Sequence, residues 1–352
     1  MKKQVKNVIK YVAFFFIGFL LLYLTYRGVD LGQMWSDIKE ANFFYLGVSF
    51  VMGYLAIVSR GIRWVTLMEP LGYKPRTGNS VHAVAFGYFA NLGIPRSGEV
   101  VRCTALNQSD GVPVDKLVGT VILERVIDSV FLLSFTLLAF LLNVDVFLSF
   151  IDQIMIARDE AGTEIPGEKS FVWVYITLAG LVLLLTLFII LRKRIYASGL
   201  YLKFIEFFNG IKEGFQSIGK MKKKGWFIFH TCFIWLMYFL MAYVAFYSFP
   251  ETSNLTLSDG LFITVAGGMG MVVPAPGGTG SYHAAITLAF VALGLGGMLG
   301  PGYTDFKAAE MLGAKFAALL WTTQTLMIVL TGFTGFLILT FRNKNKAKTT
   351  EA

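Results

Sequence analysis

Two cysteines and three histidines are all that these 352 residues offer as soft metal ligands. Cys103 and Cys232 make neither a CxxC pair nor a disulfide framework, and the histidines are too scattered for a zinc motif. Charge is scarce as well: Asp, Glu, Lys and Arg make up 15% of the chain, against about 25% in an ordinary soluble domain. No polar stretch exceeds roughly 35 residues, which is too short for an appended catalytic domain. A Walker loop, a GxSxG elbow and an HExxH pair are all missing, so the usual signs of nucleotide use and of serine or zinc hydrolysis are absent. No motif asks for a cofactor or a metal.

Apolar residues are abundant instead. The chain is 55% hydrophobic and 15% aromatic, with a mean hydropathy of +0.63. A soluble fold of this size cannot hide so much apolar surface, so the expected class is an all-α polytopic membrane protein, one membrane domain over residues 1–352. The net charge of +9 raises nucleic acid as a partner, but the charges gather at the ends of apolar runs. That pattern reports membrane orientation, and no nucleic acid is expected. The basic start and first apolar run resemble a signal peptide, but no small-x-small cleavage site follows. Tyr23 and Tyr26 stand there instead, as in a retained span.

Six runs have the length to cross a hydrocarbon core of about 30 Å: residues 11–26, 42–59, 117–144, 171–191, 226–249 and 314–341. Two more apolar regions, 80–107 and 261–297, are each interrupted by a proline-glycine break. Reading both as re-entrant hairpins with the N-terminus inside puts 24 of the 31 Lys and Arg residues in cytoplasmic segments and 5 in outer ones. That split obeys the positive-inside rule; a single crossing at either region spoils it. Both termini, the basic loop 192–224 and the basic tail 342–352 then face the cytoplasm. The expected location is the inner (plasma) membrane of a bacterium. Residues 26–41 and 145–170 become outer segments. Each half, 1–144 and 171–341, reads span, span, hairpin, span, and crosses three times, so the halves are inverted relative to one another. Opposed hairpins of this kind are a recurrent transporter architecture. "IPRSGEVV" (94–101) and "VPAPGGTG" (273–280) share a proline followed three residues later by glycine, each at a hairpin tip.

Three groups of residues have the chemistry for a polar headgroup. At the first tip, Pro95 ends one short helix and Gly98 opens the next, whose N-terminus is an anion site by its free N–H groups and dipole. Arg96 and Arg102 suit phosphate through the planar guanidinium fork, and Glu99 at i,i+3 is expected to hold Arg102. In the third span, "GTVILERVIDSVFLL" places Glu124, Arg125 and Asp128 a third of the way across. Arg125 and Asp128 have pairing distance. The three charges face either a substrate cavity or an ion-pair latch, on the side of the first hairpin in both cases. At the second tip, "VVPAPGGTGSYHAAI" offers Pro274, the close approach allowed by Gly277, Gly278 and Gly280, and hydrogen bonds from Thr279, Ser281 and His283. His283 alone is equally a packing residue. Arg60, Arg63 and Lys222–Lys224 read as topology anchors, and 192–224 as an amphipathic surface helix.

With "NLGIPRSGEVVR" (91–102), "ERVID" (124–128) and "PAPGGTGSYH" (274–283) in this order, the chain resembles the lysylphosphatidylglycerol synthase transmembrane family of flippase-like proteins. In fused members the membrane region is implicated in moving aminoacylated phospholipid, and a separate soluble domain performs the aminoacyl transfer. No such domain stands in this sequence, so the resemblance implies a stand-alone flippase-like protein and not a synthase. It also implies a polar core made of Pro95, Gly98, Glu99, Arg102, Glu124, Arg125 and Asp128 with Pro274, Gly277, Gly278 and Gly280. Many members carry glutamate after the glycine-rich turn where this chain has His283. The expectation is therefore a lipid transporter for an anionic or modified phospholipid, with membrane lipids as partners. A homo-oligomer or a lipid-modifying enzyme is a compatible further partner. The alternatives are an integral-membrane enzyme on a lipid-linked phosphate or sugar, with Glu124, Asp128 or His283 as acid or base, and a scaffold for a lipid-modifying enzyme.

Overall fold

The structure is a computed structural model, and it describes residues 15–144, 146, 221–295, 297–299 and 306–351. All of them belong to one compact unit; the span expected at 171–191 and nearly all of the loop 192–224 lie outside the described residues. Among the described residues the regular structure is entirely helical.

The α-helices among the described residues are, in chain order, α1 (Phe15–Tyr26), α2 (Leu31–Glu40), α3 (Phe43–Met68), α4 (Thr77–Gly93), α5 (Gly98–Asp110), α6 (Val114–Leu142), α7 (Lys224–Ala245), α8 (Leu257–Val272), α9 (Ser281–Leu295) and α10 (Phe306–Glu351). Four stretches of them, 43–71, 114–142, 224–248 and 306–343, have the length and hydropathy to cross a membrane, or five if α1 and α2 together form one bent span. The large side chains they leave outside are apolar: Ile122, Leu133 and Leu137 on α6, Phe229 and Leu236 on α7, Leu330 and Phe333 on α10 are all exposed. Such a surface needs lipid as its solvent.

Residues 31–40, expected to be part of an outer loop, form α2. Asp30 caps its first turn by accepting from the N–H groups of Gly32 and Gln33. It leaves α1 at 87°. Ile38 packs on the main apolar core, where Phe246, Phe290 and Phe316 meet with ring centroids 4.9–6.3 Å apart.

The two proline-glycine regions fold as antiparallel helix pairs. In α4–α5 the open ends are joined by Asp110, which accepts from the Arg76 N–H and from Asn79 Nδ2. Toward the tip the helices touch backbone to backbone: a Cβ on Gly87 would sit 2.7 Å from the Gly98 carbonyl. Ile94, forced out of the helical region by the following proline, ends α4 in an extended conformation. Ser97 Oγ then donates to the Ala90 carbonyl, and Asn91 Oδ1 accepts from the Gly98 N–H at 2.7 Å. In α8–α9, Thr256 and Asp259 form a capping box at the start of α8. Its tip turns through Gly277, Gly278 and Gly280, with φ of 56°, 73° and 79°, values that only glycine adopts cheaply. At Gly280 a Cβ would also strike the backbone of Gly18 on α1.

The 46-residue α10 is the spine that orders these pairs. Gly313 abuts Thr287 and Phe290 of α9, Trp321 donates to the Gly277 carbonyl at 2.9 Å, Gly332 abuts Ala85 and Phe89 of α4, and Gly335 abuts His82. Arg342 donates to Asn79, near the open end of the first pair. Followed along α10, the second hairpin thus comes first, open end leading, and the first hairpin comes second, open end trailing. The tips meet between them. A Cβ on Gly277 would lie 2.7 Å from Leu92 Cδ2, and Arg96 Nη2 lies 3.5 Å from the Val272 carbonyl oxygen.

Candidate functional site

The most buried polar assembly joins α3, α5 and α6. Arg60 Nη2 donates to Asp128 Oδ2, Arg63 Nη1 to Asp128 Oδ1 and Arg63 Nη2 to Glu124 Oε1, each at 2.9 Å. Arg102 Nη2 donates to Glu124 Oε2 at 2.6 Å. Arg63 and Glu124 are 0% exposed, and Arg60, Arg102 and Asp128 are buried with them. Rings close the assembly: the Arg102 guanidinium lies 4.7 Å from the Trp64 ring and that of Arg63 lies 5.6 Å from Phe227. Three guanidinium groups face two carboxylates, so the ion network carries an excess positive charge among buried side chains. Such a charge is costly in low dielectric unless a further anion meets it.

Local sequence explains the convergence. The stripe Gly53, Ala56, Ile57, Arg60, Arg63, Trp64, Leu67 recurs at helical spacing and forms the buried face of α3. On α6, Glu124 and Asp128 are i,i+4 and share a face. Arg102 is five residues into α5, on the side that faces α6. Counted from Val114, Glu124 lies about 15 Å along α6 at a helical rise of about 1.5 Å per residue.

Beside the network lies a small, half-open pocket lined by Arg60, Tyr88, Asn91, Glu99, Arg102 and Arg125 together with Val84, Gly87 and Gly98. Arg125 and Glu99 form a second ion pair of 2.8 Å, with side chains 48% and 30% exposed. It bridges α5 and α6 at the rim of the pocket. Ser97 gives the first turn of α5 no side-chain cap.

Several expected pairings are corrected. Glu99 does not hold Arg102; it holds Arg125, and Arg102 is held by Glu124. Asp128 does not pair with Arg125; it takes Arg60 and Arg63. The reason is helical phase: on α6, Arg125 is one residue on from Glu124 and faces the rim, away from the buried side. Arg60 and Arg63 are not topology anchors, because α3 continues nine residues beyond the apolar run that ends at 59 and carries both inward. Their i,i+3 spacing in register with Gly53, Ala56 and Leu67 was the signal for this in the sequence. Lys223 pairs with Glu69 at 2.7 Å, both partly exposed.

The other predicted site residues stand at the tip junction, apart from this network. Arg96 is exposed and is the one non-glycine residue with positive φ (63°) among the described residues. Pro274 is partly buried and Ser281 Oγ lies 3.3 Å from the Gly278 carbonyl. His283 is buried between Tyr26 and Trp321, with centroids 5.7 and 5.1 Å away, and its Nδ1 accepts from the Gly280 N–H. This ring fastens the turn. Among the described residues no three His, Cys, Asp or Glu side chains stand together as a metal site.

Comparison with known proteins places the chain in a membrane-protein family. Residues 9–304 match the family described as Lysylphosphatidylglycerol synthase TM region. A UPF0104 membrane protein of Methanocaldococcus jannaschii is 30% identical over 122 residues, 34% of this chain and 36% of that protein, so the match spans about a third of the relative's length. No solved structure matches.

Proposed function

We propose, because the chain belongs to the family of the lysylphosphatidylglycerol synthase TM region, that this multi-pass membrane protein moves a phospholipid, anionic or otherwise modified, between leaflets of the bacterial inner membrane. In this reading α4–α5 enters from the cytoplasm and α8–α9 from outside, and their tips meet near the midplane. The halves of the chain are inverted copies, as in other transporters built from broken helices. The termini are cytoplasmic by the charge count.

The observation that carries the reading is the excess positive charge of the buried Arg60–Asp128–Arg63–Glu124–Arg102 network beside a half-open polar pocket. Arginine forks match phosphate oxygens in pairs, and the positive end of the α5 dipole lies beside them, at Gly98 on the pocket wall. An ion pair at the rim, Glu99–Arg125, supplies the polar opening in an otherwise lipid-facing surface. A headgroup would enter between α5 and α6 with its tails still in lipid.

Reconstitution in liposomes tests this. Vesicles holding the protein and trace amounts of fluorescent phosphatidylglycerol, phosphatidylserine or cardiolipin are treated with an impermeant quencher. Protein-dependent loss of the protected inner-leaflet signal is expected for at least one of them. Movement no faster than in protein-free vesicles across the panel overturns the reading.

A further inference from the structure

Three residues that line the pocket each carry a buried polar atom with no hydrogen-bond partner among the described residues. Arg60 Nε and Arg102 Nε are donors, and Glu99 Oε2 is an acceptor. The donors belong to side chains that are 96% or more buried by residue, with 4% and 3% exposure. The acceptor belongs to a carboxylate whose other oxygen is already taken by Arg125 at 2.8 Å. Buried polar atoms are rarely left alone in native proteins, so orphans of both kinds around one pocket describe a missing group by its hydrogen bonds.

We infer that the pocket reads a phosphodiester headgroup that itself brings an N–H or O–H donor, with Arg60 and Arg102 on the phosphate and Glu99 Oε2 on the donor. This rests on the lipid reading above and narrows it. A phosphate monoester held above its second pKa of about 6 is a dianion, which leaves Glu99 Oε2 unmet and brings extra negative charge beside that carboxylate. A trimethylammonium headgroup has no donor to offer and is too broad to let the oxygen close in. A glycerol hydroxyl or a primary ammonium one short spacer from the phosphate satisfies all three orphans at once. Glu99 is thus the specificity-determining residue, and Arg60 and Arg102 hold what all phospholipids share. A site built to hydrogen-bond a ligand group discriminates strongly against analogues lacking it, because its own buried atoms then stay unpaired.

The experiment is a binding measurement that needs no transport. Delipidated full-length protein in detergent is mixed with micelles containing phosphatidylglycerol, phosphatidylethanolamine, phosphatidylcholine or phosphatidic acid, and retained lipid is counted by native mass spectrometry. Retention of the first two is expected to exceed that of the last two by at least about tenfold. Glu99→Leu is expected to remove the preference. Glu99→Gln keeps an acceptor and drops the charge: retained phosphatidylglycerol with lost phosphatidylethanolamine identifies a hydroxyl donor as tolerated without charge, and loss of both identifies the charge as essential. Thermal unfolding of each variant shows whether the pocket is still there. Should Glu99→Leu fail to fold, the wild-type ranking alone decides. Equal retention of phosphatidylcholine and phosphatidylethanolamine, or a preference that survives in folded Glu99→Leu, overturns the inference. Selective retention without any flipping would sink the transport reading and leave this one standing; flipping of every lipid without selective retention would do the reverse.

Discussion

Arg102 of α5 donates Nη2 to Glu124 Oε2 of α6 across 2.6 Å, and both side chains are buried. Through Glu124 and then Arg63, this bond ties the first hairpin to α3. The hairpin is therefore anchored at mid-height by charge and at its open end by Asp110, and its tip stays free to press against the second hairpin.

The two ion-pair systems should respond differently to truncation. Arg63→Ala leaves Glu124 and Asp128 short of a buried partner, and a loss of about 3–5 kcal/mol is expected. Arg125→Ala opens a partly exposed pair and should cost about 1 kcal/mol or less. Unfolding titrations in mixed detergent micelles measure both. Equal losses would contradict the division between buried network and rim.

Glycines of the first hairpin give a sharper contrast. A Cβ on Gly98 meets the Gly87 carbonyl and the Asn91 side chain, whereas a Cβ on Gly93 meets nothing within 4 Å. Gly98→Ala is expected to destabilise by about 1–3 kcal/mol through forced separation of α4 and α5. Gly93→Ala should fall within about 0.5 kcal/mol of the parent.

Lys315 is buried and bonded to Asp37 of α2 at 3.0 Å and to Glu251 at 2.8 Å. Lys315→Met removes the shared cation and leaves two carboxylates facing an apolar side chain, at a cost of about 1–3 kcal/mol. The effect should be local. Hydrogen exchange is expected to rise across Leu31–Glu40 and to stay unchanged across α4 and α5.

The proposed entry of the two hairpins from opposite sides is tested by labelling. In a background with Cys103→Ser and Cys232→Ser, Gln108→Cys lies at the open end of the first hairpin and Asn254→Cys just before the second. An impermeant maleimide added to intact cells should label Asn254→Cys and should reach Gln108→Cys only after permeabilisation. Labelling of both from one side would remove the inverted arrangement.

Much of the architecture was legible because hydropathy and helix punctuation act locally. Ile94–Pro95 and the 273–280 turn broke helices where the sequence said they would, for reasons contained in proline and glycine themselves. Glu124 did face the first hairpin. What failed was the assignment of partners. Glu99 and Arg102 had helical spacing for one another, yet each found a closer opposite charge on α6. Hydropathy stops at 59 and so marks Arg60 and Arg63 as anchors at the end of a span, while the backbone continues as helix to Met68.

The sequence alone determined the membrane class, the family and the positions of the two helix breaks, since each depends on residues within a turn or two of one another. Only the tertiary structure decided which charges meet. Ion pairs between α3, α5 and α6 join residues 22 to 68 positions apart, and no local periodicity encodes such distances. Burial then turns those pairings into a site: the same five charges would be unremarkable in water, and packed behind Trp64 and Phe227 they leave a positive excess and orphaned N–H donors that call for an anion.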